Sequence, residues 1–377
     1  MAKTYKRIVA KLGTGLLTSG TEQLDAEMIA ALAAQVAKLR STGCEVIVVT
    51  SGAIAAGRER LNIGDADQAA SRKDMPFRQV LASVGQSHLM QIYDSAFRRH
   101  DIVVAQTLLT RRDLSDRVAY LNARNTLLAL LEVGALPIVN ENDVVAVEEI
   151  ADAHIGDNDN LSALVANLVD ADLLAILSDV AGLYTADPRR DPTAELIPVV
   201  ERVSPEIEQL AGGKGSAHGV GGMVTKLQAA KLASAGGTDV VIAEGRESKV
   251  LERLMGGEAI GTLFPATGDR VESRKRWMLS GLASRGKIVI DAGAAKALRS
   301  GGKSLLPAGV RDIEGSFQRG DTVPIFDDEG LRIAVGITNY GHADALAIRG
   351  VRSDKIAEVL GHEFGAELVH RNNLVVL

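Results

Sequence analysis

Two lysines, Lys11 and Lys226, stand beside glycines in segments with the character of strand-to-loop and turn-to-helix junctions. The first segment is Lys11-Leu12-Gly13-Thr14-Gly15. The second is Gly219-Val220-Gly221-Gly222-Met223-Val224-Thr225-Lys226. Glycine lets backbone N–H groups approach an anion closely, and a nearby ammonium supplies countercharge, so each segment is a candidate phosphate cradle. A third segment, Thr50-Ser51-Gly52-Ala53-Ile54-Ala55-Ala56-Gly57, offers hydroxyls, small side chains and amides that would suit a substrate carboxylate. One glycine loop is ordinary turn chemistry. Three of them around two acidic, amide-rich segments, Asn140-Glu141-Asn142-Asp143 and Gly156-Asp157-Asn158-Asp159-Asn160, describe a nucleotide-dependent phosphoryl transferase.

Each motif also has a plain structural reading. Lys11 can snorkel beside a turn, Lys226 can be a solvated helix charge, and either Asp157 or Asp159 can cap the helix that follows. Ser178-Asp179 can simply open a turn, or form a nucleotide-side loop. Capping needs one carboxylate, whereas Asn140, Asn142, Asp143, Asp157 and Asp159 offer a whole group. Such a group can receive an ammonium, order the two lysines or hold Mg²⁺ indirectly. If the acceptor is a carboxylate, its pKa of about 4.3 leaves it ionised at neutral pH and no general base is required. This agrees with motifs that contain no histidine, His154 and His218 only adjoining them in loops. Catalysis would then consist of bringing two anions together and neutralising charge on the transferred phosphoryl group, with Lys11 and Lys226 on its flanks.

The elements that must hold these residues alternate. Short apolar runs at Ile8 to Leu12, Val46 to Val49, Ile102 to Leu109, Leu136 to Val139, Leu173 to Leu177 and Asp239 to Ala243 read as strands, with Val46 to Val49 buried on both faces. Helical periodicity fills the intervals at Ala26 to Leu39 (with Asp25 as N-cap), Phe77 to Arg98, Ala119 to Val133, Asn160 to Val169 and Met223 to Ala235. Repeated βα units of this kind predict an α/β fold, a three-layer αβα sandwich around a mostly parallel sheet, with ligands at the carboxyl ends of the strands. From Lys287 the runs shorten: Lys287 to Ile290, Gly309 to Ile313, Thr322 to Phe326, Arg332 to Ile337 and Leu368 to Val369. They predict a small C-terminal β-rich barrel. The expected division is a catalytic domain over 1–265, a linker over 266–283 and the β-rich domain over 284–377.

Bulk properties narrow the class. A chain of 377 residues with 46% hydrophobic and 24% charged residues is expected to form more than one globular core. Its net charge of −6 argues against general nucleic-acid binding. Residues 285–363 carry eleven Lys plus Arg against eleven Asp plus Glu, a neutral balance that disfavours RNA binding by the C-terminal domain. The single cysteine, Cys44, forbids an intrachain disulfide and suits a reducing cytoplasm. No signal-peptide core and no long apolar run predict a protein that does not span a membrane. Neither G-x-x-x-x-G-K-[ST] nor G-x-G-x-x-G occurs, which disfavours a P-loop or dinucleotide-binding domain.

Taken together, the motif order resembles the amino acid kinase family over essentially the whole chain. The most specific stretches are Val49 to Arg58, Ile138 to Asp143, Gly156 to Leu164, and Gly221-Gly222-Met223 with Thr225-Lys226. The C-terminal segment resembles a PUA domain. The resemblance is strongest to members that phosphorylate the γ-carboxylate of L-glutamate at the first step of proline biosynthesis. It implies ATP with Mg²⁺ as phosphoryl donor, contacted by Lys11, Gly13, Ser178, Asp179 and the stretch Val220, Gly221, Gly222, Met223, Val224, Thr225 and Lys226. It implies glutamate bound by Ser51, Asp143 and Asn158, with Gly52, Ala53, Asn140 and Asp157 nearby, and Asp159 holding Lys11 and Lys226 in place. A homo-oligomer (dimer or tetramer) and feedback inhibition by proline are further implications. Val220 stands where the family often has threonine, and Val144 to Ile155 is longer than the family pattern. The neighbouring alternatives are kinases of acetylglutamate or aspartate; free glutamate carries an ammonium that the acidic segments would countercharge.

Overall fold

A computed structural model describes residues 5–21, 23–63, 74–146, 158–211, 222–268, 285–300 and 302–377. Two compact units emerge. The first contains residues 1–114 and 124–270, and the second contains residues 115–123 and 271–377.

The first unit is built on a seven-stranded sheet in the order β3-β4-β2-β1-β5-β6-β7. Its strands are β1 (Arg7–Leu12), β2 (Glu45–Thr50), β3 (Val104–Leu109), β4 (Leu136–Glu141), β5 (Leu173–Ser178), β6 (Asp239–Glu244) and β7 (Thr262–Phe264). All pairings are parallel except β6 with β7. Strands β4 and β5 are buried at every position, as expected of near-continuous apolar runs covered on both faces. The antiparallel β7 was not foreseen; three residues are too short a run to show a period.

Helices follow the strands: α1 (Thr14–Leu17), α2 (Ala26–Ser41), α3 (Ala53–Arg60), α4 (Met75–Arg98), α5 (Arg117–Glu132), α6 (Asn158–Leu168) and α7 (Gly222–Ala235). Asp25 caps α2 as expected, its carboxylate accepting from the Met28 N–H at 2.9 Å. Part of the third glycine-rich segment proves to be helix, because α3 starts at Ala53 and runs through Gly57. Only Ser51 and Gly52 remain as the turn, and Gly52 has φ of 97°, a backbone state that favours glycine. Gly57 therefore belongs to a helix contact and not to an anion loop. A side chain there would collide with the Leu81 carbonyl of α4, and one at Gly85 would collide with the Ala53 carbonyl of α3.

The second unit carries a five-stranded sheet in the order β12-β11-β10-β8-β9. Its strands are β8 (Arg285–Ile290), β9 (Val310–Ser316), β10 (Thr322–Phe326), β11 (Arg332–Ile337) and β12 (Leu374–Val376). Pairings are antiparallel apart from β8 with β10. The strand expected at Leu368 to Val369 is a single bridge between Val369 and Leu305, and the edge is instead supplied by β12. Residues 115–123 pack into this unit. Leu121 is buried with Ile337 and Val375, Arg117 donates to the Thr322 hydroxyl at 2.7 Å, and Arg319 donates to Asn122 at 2.6 Å. Helical spacing carries no signal for that association, since it does not say which sheet a helix serves. Among the described residues no helix is long and apolar enough to cross a membrane.

Candidate active site

The carboxyl ends of β1, β2, β4 and β5 lie side by side in the sheet. At the centre is Asp159, one residue into α6 and 1% exposed. Its Oδ1 meets the Lys11 ammonium at 2.5 Å, and its Oδ2 meets Lys226 at 3.2 Å. The Thr225 hydroxyl donates to Oδ2 at 2.7 Å, and the Lys226 ammonium also donates to the Gly222 carbonyl at 3.2 Å. Lys11, at 4% exposure, closes β1, and Lys226, at 8%, lies in the second turn of α7. Two lysines 215 positions apart in the chain thus share one carboxylate, as the sequence reading required.

Two ammonium groups face the Asp159 carboxylate in a place largely closed to water, with Asp179 a further, weaker negative influence on Lys226. Burial by itself would raise the Asp159 pKa, but Lys11 and Lys226 outweigh it and hold the carboxyl below its ordinary range. For Lys226, burial dominates and lowers the ammonium pKa, opposed in part by Asp159 and reinforced by Lys11. A buried cationic pair with fixed geometry is suited to stabilising charge on an anion that changes shape, as a transferring phosphoryl group does.

Around the lysines lie the other expected nucleotide-side residues. Gly13 is adjacent to the Lys11 ammonium, with a Cβ position 3.5 Å from Nζ. Its own N–H is already donated to the Leu177 carbonyl at 3.1 Å, so the expected anion contact through that amide is not available. Ser178 ends β5 and is buried, its hydroxyl accepting from the Val180 N–H at 3.2 Å. Asp179 is exposed and overhangs Gly15, where a Cβ would sit 3.4 Å from the carboxyl carbon. Gly222 is open on its outer side, while Met223 and Val224 are half-buried along the first turn of α7.

On the opposite side of Asp159 the residues are amides and a hydroxyl. Asn158 Nδ2 donates to Ser51 Oγ at 3.1 Å and to Asn140 Oδ1 at 3.2 Å. Asn140 Oδ1 also accepts from the Glu141 N–H at 2.9 Å, and Asn140 Nδ2 donates to Gln86 Oε1 at 2.8 Å. Ser51, Asn140 and Asn158 are all buried, and Ala53 adjoins them at the start of α3. The Ser51 N–H is donated to the Leu12 carbonyl at 3.1 Å, which leaves its hydroxyl as the group able to meet a ligand. Asp143 is half-buried in the turn after β4. Asp157, Val220, Gly221, His154 and His218 lie outside the described residues.

Two contributors escaped the sequence reading. Gln86 and Tyr93 both come from α4, remote in sequence from every glycine-rich segment. The Tyr93 hydroxyl is 2.6 Å from that of Thr50, the residue before Ser51. A usable signal existed in the seven-residue interval between them, two helical turns, which places both on one face.

Residues 6–244 match the amino acid kinase family, and residues 286–360 match the PUA domain. The chain is 54% identical over 373 residues to a glutamate 5-kinase of Dehalococcoides mccartyi, covering 99% of each. It is 52% identical over 371 residues to a glutamate 5-kinase of Herpetosiphon aurantiacus, covering 98% of each. Among solved structures, a UMP kinase from Bacillus anthracis aligns with a TM-score of 0.47 at 17% identity, over 71% of this chain and 98% of that one.

Proposed function

The chain belongs to the amino acid kinase family, and from that premise we propose that it transfers the γ-phosphoryl group of ATP to the γ-carboxylate of L-glutamate. The observation that carries this reading is the pair of buried ammonium groups on the two oxygens of Asp159. A γ-carboxylate oxygen attacks the γ-phosphorus, the bond from phosphorus to the bridging oxygen breaks, and ADP leaves. No proton moves in that step. Lys11 and Lys226 offset charge on the equatorial oxygens, while Asp159 keeps the two lysines apart and aimed.

Glutamate is assigned to Ser51, Asn140, Asp143 and Asn158, with Gly52, Ala53 and Asp157 beside them. The nucleotide is assigned to Lys11, Ser178, Asp179 and the segment from Val220 to Lys226, with Gly13 leaving room beside Lys11 without lending its amide. Among the described residues no three acidic, histidine or cysteine side chains cluster as a metal site. Mg²⁺ enters with ATP and would supply further charge neutralisation. We assign catalysis to 1–265, a linker to 266–283 and the PUA domain to 284–377. A cytoplasmic homo-oligomer, dimer or tetramer, open to proline feedback completes the reading.

The test is a panel of L-glutamate, N-acetylglutamate and L-aspartate with MgATP, read by ADP release and by trapping of the acyl phosphate with hydroxylamine. Glutamate should be the preferred acceptor by at least tenfold in kcat/KM. Preference for acetylglutamate or aspartate would overturn the assignment.

A further inference from the structure

The amide chain beside Asp159 has a fixed polarity, and a backbone group sets it. The Glu141 N–H can only donate, so the Asn140 atom 2.9 Å away must be the carbonyl oxygen. Asn140 must then present its NH2 to Gln86, and Gln86 must turn its own carbonyl oxygen to receive it at 2.8 Å. In the other direction, Asn158 must turn its NH2 toward Asn140 Oδ1 at 3.2 Å. Every amide orientation follows from one main-chain donor.

Two atoms are left over. Asn158 Oδ1 is a buried acceptor without a partner, and Gln86 Nε2 is a buried donor without one. Asn158 as a residue is only 8% exposed, so an empty acceptor there is costly unless a ligand fills it.

Gln86 is held in place by its surroundings. The preceding residue, Gly85, packs against the Ala53 carbonyl so closely that no side chain fits. Gln79 and Tyr93, one heptad to either side on α4, make comparable reaches. Gln79 donates to the Val144 carbonyl at 3.1 Å, and Tyr93 pairs with Thr50 at 2.6 Å. One face of α4 therefore grips the turn after β4, the end of β4 and the end of β2.

We infer that Gln86 is a positioning residue for the amino-acid half of the site: through Asn140 it locks Asn158 with its carbonyl oxygen presented as the acceptor for the substrate's ammonium group. Without the Gln86 carbonyl, Asn140 keeps the Glu141 N–H that selects its polarity but loses the second contact that holds its amide plane, so the Oδ1 that receives Asn158 Nδ2 is no longer fixed in position. This rests on the assignment of an amino-acid acceptor substrate made above.

The experiment compares wild type, Gln86→Met and Gln86→Glu by steady-state kinetics in glutamate and in ATP. Gln86→Met keeps the length but removes the acceptor, and should raise the glutamate KM about tenfold while the ATP KM stays within twofold. Gln86→Glu keeps an oxygen facing Asn140 Nδ2 and should return the glutamate KM to within threefold of wild type. A glutamate KM within twofold of wild type in Gln86→Met would overturn the inference, as would an equal rise in both KM values. So would a Gln86→Glu enzyme no better than Gln86→Met, which would mean that the free Nε2 is what matters. If Gln86→Met fails to fold, Gln86→Leu is read in the same way. Wild type inactive on glutamate defeats the functional reading, whereas an unaffected Gln86→Met beside an active wild type defeats this one alone.

Discussion

A single carboxylate decides the electrostatics of this site. Removing Asp159 as alanine would leave two buried ammonium groups uncompensated, a loss of about 3–5 kcal/mol by analogy with broken buried pairs. Asp159→Asn keeps the shape but takes away the group that supports the Lys226 proton. Below its lowered pKa the Lys226 ammonium is present and the clamp intact, and as pH rises through that value the charge is lost. The alkaline limb of kcat/KM should therefore lie lower in Asp159→Asn than in wild type, with turnover reduced at least tenfold; coincident limbs would disprove the coupling. For stability the two groups act in opposite ways. The lowered Asp159 pKa contributes stability above the ordinary carboxylate range that is lost as pH falls through its folded value, whereas Lys226 is a cost relieved as pH climbs toward the ordinary lysine range. Lys11→Met and Lys226→Met should each lower kcat by roughly 100-fold or more. Near-wild-type turnover in both would remove them from the mechanism.

Among the elements, the contact between α3 and α4 matters most to the acceptor side. Gly57 and Gly85 bring the two helices close enough that backbone meets backbone, fixing Ser51 at the head of α3 and Gln86 on α4 together. Gly85→Ala should cost about 1–3 kcal/mol or more as an overpacked contact, and should raise the glutamate KM more than the ATP KM. Thermal unfolding with both kinetic constants checks this. Here the limits of sequence reading are visible. The strands of the first unit were legible because runs such as Leu173 to Leu177 are apolar throughout; the residues alone offered a group of acids able to order the two lysines, and the family resemblance singled out Asp159. The role of Gly57 was not legible, since a glycine that packs helices looks the same in sequence as one that cradles an anion. Nor was the consumption of the Gly13 and Ser51 amides by neighbouring strands, which depends on register. Gln86 was missed because a glutamine on an amphipathic helix carries no mark of what it touches. In the second unit, β12 was misplaced because Leu368-Val369 and Leu374-Val375-Val376 are equally apolar.

At the scale of the molecule, the chain does not divide by a single cut, because residues 115–123 belong with the C-terminal unit. Leu121 is fully buried there. Leu121→Ala should destabilise that unit by about 2–5 kcal/mol. Amide hydrogen exchange should quicken in Arg332–Ile337 and Leu374–Val376 while Leu173–Ser178 keeps its protection. Equal loss in all three would instead mean one cooperative block. The chain's net charge of −6 contrasts with the two ammonium groups gathered on Asp159, so an anionic substrate would have to be met by these local groups and not by the global field. The sheet order has one more consequence. On the proposed assignment, acceptor-side groups issue from β2 and β4 on one flank of β1 and nucleotide-side groups from β5 and α7 on the other, with Asn158 and Asp159 meeting the two sets from adjacent positions. Because adjacent Cα atoms across a trans peptide lie about 3.8 Å apart, any displacement of the start of α6 would move Asn158 and Asp159 together.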